Sequence, residues 1–222
     1  MSRTLLAFPV LPGKSDDDAK LIAEELRTRP REYETARRRA GITLERAYLQ
    51  KTPMGDFVVA YIESTLEFAD TARLMAESDL EIDRFFVQTA KEVHGVDMTQ
   101  ALQGPPPETV AAWFDPQVTS RGRGLAFCAP LIPDAVETAR LILTREYASK
   151  EFADSRRALR QNGEVAGLLT TPQGPLGLAY LEGADLVAAN RHFATSTDPY
   201  DLRFKEELKK VFPPIVDFSK PL

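Results

Sequence analysis

Leu49-Gln50-Lys51-Thr52-Pro53-Met54-Gly55-Asp56-Phe57-Val58-Val59-Ala60-Tyr61-Ile62-Glu63 returns 119 residues later as Leu168-Leu169-Thr170-Thr171-Pro172-Gln173-Gly174-Pro175-Leu176-Gly177-Leu178-Ala179-Tyr180-Leu181-Glu182. Seven positions are identical: Leu49, Thr52, Pro53, Gly55, Ala60, Tyr61 and Glu63 match Leu168, Thr171, Pro172, Gly174, Ala179, Tyr180 and Glu182. At the same separation, residues 31–97 set against 150–216 give 17 identities in 67 pairs without a gap. A self-match of this length marks a repeated structural unit rather than a bias of composition. Outside the quoted stretch, Asp79, Arg84 and Phe85 pair with Asp198, Arg203 and Phe204, and Ala7-Phe8 precedes Ala126-Phe127 by the same 119 residues. The 222-residue chain therefore reads as two similar units, 1–97 and 123–222, joined by a linker over 98–122.

Each unit reads as strand, helix, strand, strand, then one or two helices. Residues 4–11 are an apolar first strand, and Ser15 with Asp18 forms a capping box for a helix whose buried stripe is Ala19, Ile22, Ala23 and Leu26. Pro30 kinks or breaks that helix. The second unit lacks this proline, which predicts a straighter helix opening at Pro133 and turning Ala139, Ile142 and Leu143 inward. Strands over 45–51 and 57–63 are joined by a tight turn containing Pro53 and Gly55, repeated by Pro172 and Gly174. Both alternating faces of Phe57–Glu63 are largely apolar, the mark of a strand covered on two sides. A short helix near 66–77 precedes one capped by Ser78 and Glu81 and ended at Gly95. Its counterpart starts at Asp198-Pro199 and stops before Pro213-Pro214. In the linker, Gln103-Gly104-Pro105-Pro106-Pro107 reads as spacer, while Trp113 and Phe114 tack it to one unit.

A hydrophobic share of 43% supports packed cores, and a formal net charge of -5 is the wrong sign for a nucleic-acid or anionic-membrane footprint. No apolar run reaches 18 residues and no cleavage site follows the N-terminal apolar run, so neither a spanning helix nor a signal peptide is expected. The single cysteine, Cys128, forms no intrachain disulfide framework and fits a reducing cytoplasm; on a predicted strand it reads as an inert buried thiol.

A strand–helix–strand–strand–helix unit covers one sheet face with helices and leaves the other bare. Two tandem copies can press those faces together into an intrachain, pseudo-dimeric α+β barrel. The pattern resembles the ferredoxin-like dimeric α+β barrel superfamily over nearly all of both halves. Within it, Ser78-Asp79, Asp83-Arg84-Phe85-Phe86 and Glu92-Val93-His94-Gly95-Val96-Asp97 resemble the C-terminal helix signature of small bacterial barrel proteins without assigned activity. The second unit keeps Asp198-Pro199-Tyr200-Asp201 and Arg203-Phe204-Lys205-Glu206 but has Pro213-Pro214 in place of His94-Gly95. The superfamily also includes the antibiotic-biosynthesis monooxygenases and the chlorite dismutase-like haem proteins. The resemblance implies a fold and leaves the chemistry open.

Tyr61 and Glu63, with Tyr180 and Glu182, form the candidate ligand-binding set, because a spacing of two puts each pair on one strand face. Facing a barrel lumen, they would hold a small molecule between the halves, and paired carboxylates against apolar walls suit acid–base work. The competing account places each tyrosine in a core and each glutamate at a strand end in solvent, paired with Arg84 or Arg203. A cofactor-independent monooxygenase is the alternative activity that the resemblance implies. Haem ligation by His192 and a purely structural or interaction role are further alternatives. His94 and His192 occupy non-equivalent places without a metal-ligand spacing, so neither metal nor cofactor is expected. His94, in a last helical turn, is read as a charge favoured by the helix dipole. Arg27, Arg29, Arg31 and Arg37-Arg38-Arg39 interleave with Glu24, Glu25, Glu32 and Glu34 and read as a solvated, salt-bridged face that Arg156 and Arg157 repeat in part. Monomer and homodimer both remain open.

Overall fold

The turn that the sequence repeats is built the same way twice. The strands before and after it pair up to Thr52↔Gly55 and Thr171↔Gly174. Gly55 and Gly174 take φ of 121° and 123°, where a side chain is strained, and the Thr52 and Thr171 hydroxyls donate to their carbonyls at 2.6 and 2.8 Å. These hairpins belong to a mixed α+β fold seen in a computed structural model, which describes residues 1–53, 55–97 and 105–221; the side chains at 16, 19 and 22 lie outside that description.

The chain divides into two compact units, Met1–Pro106 and Pro107–Leu222. The first runs β1 (Ser2–Pro9), α1 (Asp16–Thr28), α2 (Pro30–Arg39), β2 (Ile42–Thr52), β3 (Gly55–Ser64), α3 (Phe68–Ala76) and α4 (Glu81–His94). The second runs β4 (Glu108–Phe114), β5 (Arg123–Pro130), a 3-10 turn over Pro133–Ala135, α5 (Val136–Tyr147), α6 (Lys150–Ala158), β6 (Gln161–Thr171), β7 (Gly174–Gly183), α7 (Leu186–Thr195) and α8 (Pro199–Lys209). The first sheet has the order β1-β3-β2 and the second β4-β6-β7-β5, all antiparallel, and neither closes on itself. The hairpin's second strand is thus central in each sheet. Residues Val59 to Ser64 of β3 are all buried, on both alternating faces, which matches the two-sided pattern read from the sequence.

Strand registers refine the repeat. Around the central strands the separation of 119 holds. On the first strand, Leu5 lies opposite Tyr61 and Ala126 opposite Tyr180, so Leu5 corresponds to Ala126, Ala7 to Cys128 and Pro9 to Pro130. The Ala7-Phe8/Ala126-Phe127 match is therefore out of register by two. On the last helix the slip is one residue the other way: Ile82, Asp83, Ala90 and Val93 of α4 match Tyr200, Asp201, Leu208 and Val211, every one buried. Phe86, not Phe85, corresponds to Phe204, because each ring lies on the buried arginine of its own unit. The Asp79, Arg84 and Phe85 identities with Asp198, Arg203 and Phe204 do not mark equivalent positions.

Other expectations change with packing. Glu108–Phe114, read as linker, is an edge strand whose register runs from Glu108↔Leu168 to Phe114↔Gly163; its β-branched and aromatic residues suit a half-buried edge. Gln103-Gly104 lies outside the described residues. Pro30 does break the helix, opening α2 at its first position. The second unit's helix is also broken, because Ser149 caps α6 by accepting from Phe152 N at 3.1 Å. The Ser15–Asp18 capping box is present, but Ala23 is exposed and Leu26 half-buried, so neither supports the expected stripe; the Ala19 and Ile22 side chains lie outside the described residues. Ser78 does not cap α4: its hydroxyl accepts from Leu80 N at 3.2 Å, and Glu81 turns to Arg29 at 3.3 Å. Among the described residues, no helix is long and apolar enough to cross a membrane.

Candidate functional site

In each unit, β3 or β7 turns one set of side chains toward its own helices and the alternate set away. Glu45 reaches Arg37 of α2, so Glu45 and its neighbour Ile62 mark the helix side of the first sheet. Tyr61 and Glu63 point the other way, as do Tyr180 and Glu182 in the second sheet. All four are buried: the tyrosines are 0% exposed and the glutamates 2%. The Tyr61 hydroxyl donates to Glu63 Oε1 at 2.6 Å, and the Tyr180 hydroxyl donates to Glu182 Oε2 at 2.7 Å. The two-residue spacing thus makes a bonded phenol–carboxylate pair within each strand.

Neither carboxylate meets the arginine expected for it. Glu63 pairs with Arg3, its cross-strand neighbour on β1, at 3.6 Å. Glu182 accepts from Arg121 at 3.1 Å and from Gly122 N at 3.0 Å. Arg203 instead approaches Glu146 at 3.6 Å. The position facing Glu182 on β5 is Gly124, so the second unit delivers its guanidinium from the segment before the strand. The same phenol–carboxylate–guanidinium set is therefore assembled from different backbone positions. Isolated burial of a carboxylate costs roughly several kcal/mol, and these donors offset it. Phe114 completes the second set. Its ring lies over Gly163, where an added Cβ would come within 2.6 Å of it, and the Arg121 guanidinium stands 5.7 Å from the ring.

A second buried polar cluster ties helices to the sheet in each unit, built on arginines that the sequence presents as part of a solvated face. Arg37 is 5% exposed; it donates from Nε to Glu45 at 2.5 Å and from Nη1 to Asp83 at 3.1 Å, between the rings of Tyr33 and Phe86. Arg156 is 3% exposed, 2.6 Å from Glu164, and lies against Phe152, Phe193 and Phe204. The phenol on the carboxylate changes its origin: Tyr33 of α2 donates to Glu45 at 2.6 Å, whereas Phe152 fills the Tyr33 position and Tyr147 of α5 donates to Glu164 at 2.7 Å. Burial and then the neighbouring carboxylate push both phenols well above their usual range. Two arginines of the expected solvated face do form surface pairs with its glutamates, Arg38–Glu34 at 2.8 Å and Arg29–Glu25 at 2.7 Å.

His94 is 5% exposed, with Nδ1 2.9 Å from the Pro9 carbonyl and its ring against Phe8. Burial lowers its pKa and outweighs the dipole argument for a charged imidazole. His192 is exposed on α7. Cys128 is buried on β5, and burial pushes its thiol up to about 12, so it is no nucleophile. Among the described residues no group of three histidine, cysteine, aspartate or glutamate side chains is placed to hold a metal. Compared with known proteins, the chain has no significant match to a family model, a curated protein or a solved structure.

Proposed function

We propose that this protein binds a small organic molecule through Tyr61–Glu63 and Tyr180–Glu182, on the helix-free sheet faces of two duplicated ferredoxin-like units that pair as a pseudo-dimeric barrel. The supporting observation is the recurrence in both units of one buried phenol–carboxylate pair met by an arginine from its edge, half-buried Arg3 in one unit and exposed Arg121 in the other. A strand face needed only for packing is served by apolar side chains, which avoid the desolvation of a carboxylate. Retaining the set while changing the origin of its cation fits a requirement on chemistry rather than on shape. A ligand carrying both donors and acceptors exchanges with the phenol–carboxylate bonds, and the surrounding Val59, Leu5 and Leu178 supply apolar contact.

A thermal-shift screen of polar metabolites against the full chain tests the proposal. The expected result is a compound that raises Tm in a concentration-dependent way for the native chain and loses that effect with Tyr61→Phe/Tyr180→Phe. The absence of any such compound, or equal shifts in the variant, removes the proposal. A second reading has its own observation: Glu182 already collects three donors, so the set can act as a structural tie holding residues 121–122 to β7. On that reading Tyr180→Phe lowers Tm and no compound raises it.

A further inference from the structure

We propose a separate anion site in the first unit: the groove between α3 and α4 takes a small organic acid, its carboxylate on Arg84 and its hydrocarbon part on Met75, Ala76 and Val87. The groove is open to solvent along one side, offers about 440 Å³, within the range of small-ligand pockets, and combines that apolar wall with polar side chains. Its polar lining is Ser78, Arg84, Gln88 and the Lys91–Asp97 ion pair, so the charge that no lining carboxylate answers is that of Arg84. The Ser78 oxygen accepts from Leu80 N, which leaves its proton directed elsewhere.

Arg84 is exposed on the first turn of α4, and the carboxylates around it are engaged with other groups. Glu77 pairs with Arg73 at 3.6 Å, Glu81 with Arg29 at 3.3 Å, Asp83 with buried Arg37 at 3.1 Å and Asp97 with Lys91 at 3.3 Å. Glu92 accepts from Gln88 at 2.8 Å. Among the described residues no carboxylate pairs with Arg84. In a chain of net charge -5, an unpaired guanidinium beside an apolar wall is complementary to an amphipathic anion.

The second unit supplies the contrast. Ser78 and Ser196 play the same role, each accepting from the backbone N–H two residues on, and Asp83 and Asp201 are both buried. At the Arg84 position the second unit has Leu202, which is 48% exposed, so leucine there is compatible with the fold and the arginine is peculiar to the first unit.

The test is a titration of the isotope-labelled full chain with 4-phenylbutyrate and with its neutral analogue 4-phenylbutanol, followed by amide NMR. The expected result is saturable shifts confined to α3 and α4 with the acid and at least about tenfold weaker binding of the alcohol, the size of one charge-assisted hydrogen bond. Arg84→Leu, the residue of the sister unit, weakens the acid about tenfold and leaves the alcohol and Tm unchanged. Equal binding of acid and alcohol, shifts outside these helices, or unaltered acid affinity in Arg84→Leu overturns the proposal. Arg84→Lys is the folding control if the leucine variant loses stability, and it retains part of the acid preference.

Discussion

Replacing Arg156 by methionine removes the cation from a carboxylate that has almost no access to water. Glu164 has a side-chain exposure of 10% and lies 2.6 Å from the guanidinium, its other contact being the Tyr147 hydroxyl at 2.7 Å. Breaking a buried ion pair from one side costs about 3–5 kcal/mol, because the remaining charge stays desolvated. The rings of Phe152, Phe193 and Phe204, at 4.5, 5.1 and 5.4 Å, lose a cation and keep an apolar neighbour, adding about 1 kcal/mol. Set against a total stability of about 5–15 kcal/mol, this is a large fraction. Glu164→Gln keeps an oxygen for Tyr147 and removes the stranded charge, so Arg156→Met/Glu164→Gln should recover about 2 kcal/mol of the loss. Trp113 is the chain's one tryptophan and packs edge-on against Phe152 at 6.1 Å, so its fluorescence in a urea titration reports this core. A loss below about 1 kcal/mol in Arg156→Met, or no recovery in the double variant, refutes the ion-pair account.

Three further outcomes follow from particular contacts. His94 has a folded pKa below its ordinary 6.5, so the unfolded chain binds the proton more readily; stability is full above pH 6.5 and falls as the pH drops toward the folded value. His94→Gln should flatten that part of the curve of unfolding free energy against pH, and an unchanged slope speaks against the assignment. Cys128 should resist a thiol reagent such as iodoacetamide at pH 8 in the native chain and react once denaturant unfolds it, as mass spectrometry would record; rapid native labelling contradicts its burial. Gly163→Ala places a Cβ 2.6 Å from the Phe114 ring and should cost about 1–3 kcal/mol in denaturant unfolding, whereas a neutral result means that ring moves aside without cost.

Much of the fold was legible because its signals are local. The Pro-Gly turns, the Pro30 break, the Ser15–Asp18 box and the Asp198-Pro199 helix start each act within a few residues. The alternation through Phe57–Glu63 marked a strand buried on both faces. Register was less accessible. One-residue and two-residue slips in the segments between elements moved the true correspondences off the 119-residue separation, and chance identities at Arg84/Arg203 filled the gap. The candidate tyrosines and glutamates were found because their spacing of two is the period of a strand. Their arginines were missed because Arg3 and Arg121 arrive from other segments, the latter from a stretch that reads as linker. Arg37 and Arg156 look like surface charges in the sequence because charged neighbours surround them. Their identity at the shared separation, together with that of Glu45 and Glu164, was the available sign that both pairs are buried.

The most direct test of the proposed binding function is a ¹³C NMR spectrum of the chain labelled at the phenol carbon of its six tyrosines, recorded with the compound found by thermal-shift screening. The account predicts that the Tyr61 and Tyr180 signals move on titration, because their hydroxyls exchange Glu63 and Glu182 for the ligand, while Tyr33 and Tyr147 keep their bonds to Glu45 and Glu164. Binding that leaves Tyr61 and Tyr180 unmoved, with the shifts on other tyrosines, would contradict it.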